Sequence, residues 1–561
     1  MSASDSQQLP PVAKAGGPFD RDDTDFVIRT SDRVEFSVLS SILKLASPIF
    51  AHMFEFPQPP GSLTSKPCVD VVEDSTIMDS CLRICYPVPN PDIGSLSDLS
   101  KVLAAGLKYE APAVIHAARN ILIQPRFIDT DPLQVFATAC KLGLEKEAQV
   151  AAEAAVIKKL VRSMSDSSVV LDCVSAGQYL RLLRLDSTSE VKSDGTHVVH
   201  VEKVAPFCRD HSSILETCST EGATSSTLCP LADTPDPSAD LIIKARDGVD
   251  FYVHRYVINL ASPSFLGLLI EEKHPEGSIP VYHAQETSAV MDALLRYCYP
   301  FRRLKFTDAD SFVRMLSVMH KYRFVTIDDL LHDYWTTFAE QSPFRFYFVA
   351  IAHALEGKAR TCAFLFARSS SSQVSELVNL YAPELEWVSA LSYRRLIAYA
   401  RACRAAASNI VTTFKPALPL EQFDKRGDLP PFFPFKFKPS DLPKYIEEKL
   451  AIQPSGKALT NSLIALRQSL KSCQDFVLPC DDDGPGEHRL ERDFVLDLMF
   501  VAIVAPAVPQ AFDDSRPAIA TGRRLEITEA LQKYGEAVDK RVLQVCHPPF
   551  DAMIAESRKT E

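Results

Sequence analysis

One stretch of the chain occurs twice. Residues 25–50 read D-F-V-I-R-T-S-D-R-V-E-F-S-V-L-S-S-I-L-K-L-A-S-P-I-F, and residues 240–265 read D-L-I-I-K-A-R-D-G-V-D-F-Y-V-H-R-Y-V-I-N-L-A-S-P-S-F. The offset is 215 throughout and 11 of the 26 positions are identical, where unrelated segments would share about one or two. With 561 residues, the chain is too long for one core and has room for roughly three to five domains. The duplication says that two of them share a plan.

Within each copy the apolar period changes as the chain advances. Val34, Phe36 and Val38 alternate with Glu35 and Ser37, and Val249, Phe251 and Val253 alternate with Asp250 and Tyr252. Period two with one apolar face predicts a half-buried strand, the second arm of a hairpin that begins at F-V-I or L-I-I. Ile42, Leu45 and Ala46, like Val257, Leu260 and Ala261, then fall at helical spacing and are expected to pack inward. Ser47-Pro48 and Ser262-Pro263 predict the cap and first turn of a second helix carrying Phe50 or Phe265. A third strand is expected at 69–72 and again at 279–282. M-D-S-C-L-R-I-C-Y-P (78–87) and M-D-A-L-L-R-Y-C-Y-P (291–300) follow at an offset of 213. In these, Met78, Cys81, Leu82 and Cys85 share one helical face, as do Met291, Leu294, Leu295 and Cys298, and a proline ends each helix.

Two more helices are expected in each copy, the first ending at Lys108-Tyr109 or Lys321-Tyr322. Beyond them F-A-T-A-C-K-L (136–142) is aligned with V-A-I-A-H-A-L (349–355), and Tyr179 with Tyr393. The expected organisation is a disordered N-terminus (1–23), a mixed α/β module (24–123) with a helical extension (124–185), and a flexible Ser/Thr/Asp/Pro-rich linker (186–238). A second module (239–336), its extension (337–406) and an all-helical C-terminal region (407–561) complete it. The C-terminal helices are placed near 441–475, 490–505 and 523–547, with D-D-D-G-P-G-E after Cys480 as a mobile loop.

Composition narrows the function. A net charge of -12 without a basic run longer than a pair argues against a nucleic-acid surface. The N-terminus lacks the basic and apolar regions of a secretory signal. The longest apolar run, from Phe494, contains Asp497, ends at Pro506, and falls short of the roughly 20 residues that span a bilayer. These features predict a cytoplasmic or nuclear protein that is not secreted. The 14 cysteines show no disulfide-framework spacing, as expected of reduced thiols.

The order of a hairpin, a helical pair joined at A-S-P-x-F, a strand and a helix ending C-Y-P resembles the BTB/POZ domain. In detail it resembles the divergent BTB proteins of mushroom-forming fungi, over residues 24–123 and 239–336. The resemblance implies an α+β fold with two BTB/POZ-like modules, each with an α-helical extension, followed by an all-helical C-terminal region. It also implies no catalytic residues, and a role as a protein–protein interaction scaffold or adaptor. Association takes the form of self-pairing through the first helix and N-terminal strand, recruitment of other proteins, or docking to a cullin scaffold of ubiquitin ligases. Two modules tethered on one chain reach an effective concentration of about millimolar, which favours pairing within the chain.

Relatives pair the first-strand Asp with a basic residue just after the second strand's His. That pocket maps to Asp240, His254 and Arg255 in the second copy, while the first copy has Asp25 with Leu39 and Ser40. The competing reading is that Asp240 caps local backbone groups. Cullin-binding relatives carry a hydrophobic-x-Glu motif after the second helix. The aligned loops here, F-P-Q-P-P-G and E-K-H-P-E-G, do not fit it.

Other chemistry fails on its mechanics. P-S-G-K-A-L-T (454–460) has Ala451 and Ala458 where a phosphate loop needs Gly and Ser/Thr, so a helix-terminal turn is expected. Cys208, His211, Cys218 and Cys229, and separately Cys473 and Cys480, lack the paired spacing of a zinc site. No G-x-S-x-G or H-E-x-x-H pattern occurs. Neither catalysis, a cofactor nor a metal is therefore expected. Trp335, Trp387 and P-F-R-F-Y-F-V (343–349) are read as core packing in preference to a partner anchor.

Overall fold

The computed structural model describes residues 12–55, 66–165, 168–191, 197–208, 231–232, 236–272, 279–300, 305–369, 380–408, 442–472 and 531–540. The chain divides into two compact units, residues 1–209 and 210–561. Each unit is a mixed α+β structure built on its own four-stranded sheet.

In the first unit, β2 (Phe26–Arg29) and β3 (Val34–Val38) form the expected antiparallel hairpin, with Phe26 opposite Val38 and Ile28 opposite Phe36. Those four side chains are buried, while Val34 is half-buried. Two short helices follow, α1 (Ser40–Ala46) and α2 (Pro48–Met53). Next, β4 (Cys68–Asp70) joins β2 in parallel, ahead of α3 (Ser75–Cys85), α4 (Leu96–Lys108) and α5 (Pro112–Leu122). With a further strand, β1 (Ala13–Lys14), the order is β1-β3-β2-β4.

The outermost strand, β1 (Ala13–Lys14), was not expected, because residues 1–23 read as disordered. It runs parallel to β3, and the Ala13 and Ala15 amides donate to the Arg33 and Glu35 carbonyls. The segment is held chiefly by one large apolar side chain in a Pro/Gly-rich run, with Ala15 also buried. Phe19 is 1% exposed and packs on Phe36 and Tyr86, and its carbonyl accepts the Ser37 amide at 2.8 Å. Burial of a ring of this size offsets the cost of ordering a few residues.

The second unit shows the same order of elements. β7 (Leu241–Lys244) and β8 (Asp250–Val253) pair antiparallel, and β10 (Val281–His283) joins β7 in parallel. A two-residue strand, β9 (Ile270–Glu271), adds to β10, giving the order β8-β7-β10-β9. The helices Arg255–Ala261, Ser288–Cys298, Ala309–Lys321 and Ile327–Gln341 answer α1, α3, α4 and α5. Where α2 would recur there is only a turn and the 3-10 segment Leu266–Leu268. Gly267 at its centre disfavours a full helix. The β8 edge is covered as the β3 edge is: the Leu231 carbonyl accepts the Tyr252 amide at 2.8 Å, and Leu231 is buried.

Two further expectations are corrected. Leu45 and Leu260 do not pack inward; they are 91% and 68% exposed, and the buried positions of these helices of about two turns are Leu43 in the first and Ile258 with Ala261 in the second. The stretch 186–238 is not linker throughout. The helix Ala176–Thr188 runs into it, a two-stranded ribbon pairs β5 (Glu190–Val191) with β6 (His197–Val198), and Phe207 is buried against Phe136.

The extensions are helical in both units, but the expected register is out by two residues. Helix Pro132–Lys141 begins at Asp131-Pro132 and helix Pro343–Ala352 at Ser342-Pro343, an offset of 211. Left-handed residues after both helices, Gly143 and Ala354, keep the same offset. Proline at the first helical position fixes where each helix starts, so Cys140 answers Ile351. The aromatic run 343–349 and Trp335 lie in the core, with Trp335 stacked edge-on to Phe346. In the C-terminal region, helices Leu442–Ile452 and Gly456–Ser472 and the helix at 531–540 are described. The segment expected as helix at 490–505 lies outside the described residues.

The hairpin turns test the correspondence. Arg33 and Gly248, at equivalent positions, both have positive φ, 63° and 88°. Gly248→Ala is expected to destabilise the second unit by about 1 kcal/mol, because a Cβ is disfavoured in the left-handed region. Arg33→Gly is expected to be neutral or stabilising in the first. Urea midpoints of the two variants measure both signs, and destabilisation by both would show that the turns are not equivalent.

Candidate functional site

The pocket inferred for the second unit lies where β7, β8 and the helix Arg255–Ala261 meet. Asp240 precedes β7, and His254 and Arg255 form the strand-to-helix corner. Asp240 and Arg255 do come together, but through the main chain: Asp240 Oδ1 accepts the Arg255 backbone N–H at 2.7 Å. The guanidinium lies over the Tyr282 ring, 5.9 Å from its centre. Asp240 is exposed, so it is not a buried charge in need of a countercharge.

The first unit explains why the aspartate recurs although the basic residue does not. Asp25 Oδ1 accepts the Ser40 backbone N–H at 2.8 Å, and Oδ2 accepts the Ser40 hydroxyl. Partial burial pushes the Asp25 carboxyl up, but the Ser40 hydroxyl and amide outweigh it and hold it below the usual carboxylate range. In both units the aspartate binds the first amide of the helix, where an orphan donor and the positive end of the dipole favour a carboxylate.

What distinguishes the second unit is a polar chain that runs through His254. Its Nδ1 is 3.2 Å from the Tyr299 hydroxyl, and its Nε2 is 3.0 Å from Ser238 Oγ. Ser238 Oγ in turn lies 2.7 Å from Asp236 Oδ1. The proton order follows from the ends. Asp236 can only accept, so Ser238 donates to it and accepts from His254 Nε2–H; Nδ1 then accepts from Tyr299 O–H. The Ser238–His254 distance would suit a nucleophile and its base, but the imidazole faces the serine with a proton, not a lone pair. The chain links Tyr299, His254, Ser238 and Asp236 in one hydrogen-bonded relay.

Asp236, Ser238 and Tyr299 were missed by sequence reasoning. Asp236 and Ser238 sit in a stretch that reads as linker. Tyr299 was visible, as the tyrosine of C-Y-P, and its role is common to both units: Tyr299 OH accepts the His254 amide at 2.8 Å, and Tyr86 OH accepts the Leu39 amide at 2.8 Å. Burial pushes the Tyr299 hydroxyl pKa up to about 12.

The phosphate-loop resemblance at 454–460 is resolved by what occupies the helix N-terminus. Asp539 Oδ1 accepts the Gly456 amide at 2.8 Å and pairs with Arg368. A Cβ on Gly456 would lie 1.7 Å from the Gly535 carbonyl oxygen. A carboxylate and a closely crossing helix fill the space a phosphate would need. Among the described residues no group of three or more His, Cys, Asp or Glu could hold a metal ion, and no helix is long and apolar enough to cross a membrane. His211, Cys218, Cys229, Cys473 and Cys480 lie outside the described residues. So do the loop at 56–61 and nearly all of that at 272–277, which bear on cullin docking.

Among buried titratable groups, His353 is held neutral. Burial, with His320 at a ring distance of 4.9 Å, lowers its pKa to about 4. Its Nε2 lies 3.2 Å from Ser317 Oγ. Because the folded pKa lies below the unfolded one, the stability it contributes is full above about pH 6.5 and is lost as the pH falls toward 4. Unfolding of the second unit is expected to lose about 2 kcal/mol between pH 7 and pH 5 from this group. Denaturant titrations at the two pH values measure it, and His353→Leu should flatten the difference.

Comparison with known proteins bears on the region just described. No curated protein matches the chain. Residues 234–338 match the family model of the BTB/POZ domain, a family of interaction modules rather than enzymes, so the sheet and first helices of the second unit form a BTB/POZ domain.

Proposed function

We propose that the chain is a non-enzymatic scaffold or adaptor with two BTB modules, residues 24–123 and 239–336, paired with each other within the chain. The observation that carries this reading is the recurrence in the first unit of the second unit's internal hydrogen bonds. The Ser47 hydroxyl donates to the Tyr109 carbonyl as Ser262 does to Tyr322. Tyr109 and Lys108 meet Glu73 as Tyr322 and Lys321 meet Glu286. Asp32 binds the first turn of α3 through Ser75 as Asp247 binds Ser288.

Pairing has a surface available. Leu45 and Leu260 occupy the same position of the first helix in the two units, both well exposed, and Tyr256 beside Leu260 is 77% exposed. BTB modules pair through this helix, and large apolar side chains held out to solvent at matched sites fit that use. The N-terminal strand is committed in the first unit to its own sheet, so the helix carries the pairing. Recruitment of another protein is assigned to the second module, at Asp240, His254 and Arg255, because only there does the corner carry the imidazole and guanidinium.

Light scattering is expected to give the mass of one chain, 62.1 kDa, over a wide dilution range. Leu45→Asp together with Leu260→Asp should expand the particle in small-angle scattering without shifting the melting of either unit. An obligate dimer at all concentrations, with both modules paired in trans, would sink pairing within the chain. The alternative, a substrate adaptor of a cullin-type ubiquitin ligase, predicts recovery of a cullin with the full chain and its loss when the first module is deleted.

A further inference from the structure

The first unit holds a pair of cysteines that its two-fold plan does not account for. Cys140 lies near the end of helix Pro132–Lys141 and is buried. Cys208 comes from a distant part of the chain and is half-exposed. Three contacts bring it in. Phe207 is 1% exposed and meets Phe136 edge-on at 5.1 Å. The buried Arg181 guanidinium donates to the Phe207 carbonyl at 3.0 Å. Glu145 Oε2 accepts the Cys208 amide at 2.7 Å. The Cys208 sulfur then rests 4.0 Å from the carbonyl of Ala139, the residue before Cys140, and after burial the Cys208 side chain is the next cause that pushes the Cys140 thiol up.

This arrangement is specific to the first unit. The second unit has Ile351 at the position of Cys140. A position that takes a half-buried isoleucine in the other copy does not need sulfur for packing. The anchor around Cys208, by contrast, uses a ring, a buried guanidinium and a carboxylate to set two residues in place, one of which carries the facing thiol.

We propose that Cys140 and Cys208 are a reversible oxidation site, closing to a disulfide that bonds the segment after the first helical extension to the helix Pro132–Lys141. With a peroxide as oxidant the step balances. The accessible Cys208 sulfur, as thiolate, attacks one peroxide oxygen and becomes a sulfenic acid, and the other oxygen leaves as water after taking up a proton. The Cys140 sulfur then displaces the sulfenic oxygen, which takes the Cys140 proton and leaves as a second water. The two sulfurs together lose two electrons and the peroxide gains them. The order follows from access: Cys208 meets the oxidant first, and Cys140, shielded behind it, resolves it.

The test uses the full chain, treated with stoichiometric hydrogen peroxide, alkylated and digested with trypsin. The expected product joins the peptides spanning residues 127–141 and 204–209, lighter than their sum by two hydrogens, and thiol reductant releases it. Cys208→Ser should abolish this product and leave Cys140 reduced. Cys140→Ser should leave a Cys208 sulfenic acid that dimedone traps. Recovery of both cysteines alkylated after oxidation, or of Cys208 as a sulfinic acid or joined to another cysteine, would overturn the proposal.

Discussion

The fold of each unit depends on a serine hydroxyl that reaches across the core to a tyrosine carbonyl. Ser47 and Ser262 are each at most 1% exposed, and each donates to the carbonyl that closes the helix after C-Y-P, at Tyr109 or Tyr322. A carbonyl at a helix C-terminus has no partner of its own, and leaving it unpaired in a core costs about 1–3 kcal/mol. The serine meets that need and at the same time ends the preceding helix. In the first unit its oxygen also accepts the Phe50 amide and so starts the next one. The tyrosine ring then stacks on Phe50 or packs on Phe265, while its hydroxyl binds Glu73 or Glu286. One polar residue thus fixes where two helices end.

That dependence explains why some of the fold was legible in the sequence and some was not. A-S-P-x-F and C-Y-P survive in both copies because each names a residue with a long-range hydrogen bond: Ser47 to Tyr109, Tyr86 to the Leu39 amide, and their counterparts. Strand alternation was equally readable, since Phe36 and Val38 have one possible face once the hairpin forms. The first helices were not. With only seven residues each, they have too few turns for periodicity to distinguish the buried Leu43 from the exposed Leu45. The N-terminal strand was hidden for another reason. Its pairing is made by backbone atoms, and its single anchor, Phe19, gives no period at all.

The candidate site shows the same division. Asp25 and Asp240 were recognisable because both start a strand and face a helix start, but their partner is an amide rather than a side chain. An amide carries no sequence signature, so the serine at 40 and the arginine at 255 serve equally well beneath the carboxylate. The side chains above that amide are therefore free to differ. The second unit uses the freedom to place an imidazole between Tyr299 and Ser238, and a guanidinium over Tyr282.

The covered edges explain why the two sheets can diverge so far at their surfaces. An open strand edge offers unpaired amides to any extended chain. Here Phe19 and Leu231 each place a carbonyl on an amide of the hairpin's second strand, at Ser37 and Tyr252, and bury an apolar side chain beside it. The two covering segments share no motif, and their offset of 212 differs from the 215 of the strands they cover. Backbone geometry and one buried side chain are all that the edge requires. Such a segment needs an apolar residue at roughly the right distance, and a phenylalanine serves in one unit where a leucine serves in the other. The segments before the two hairpins therefore differ in length and composition while the hairpins they cover keep the same pairing.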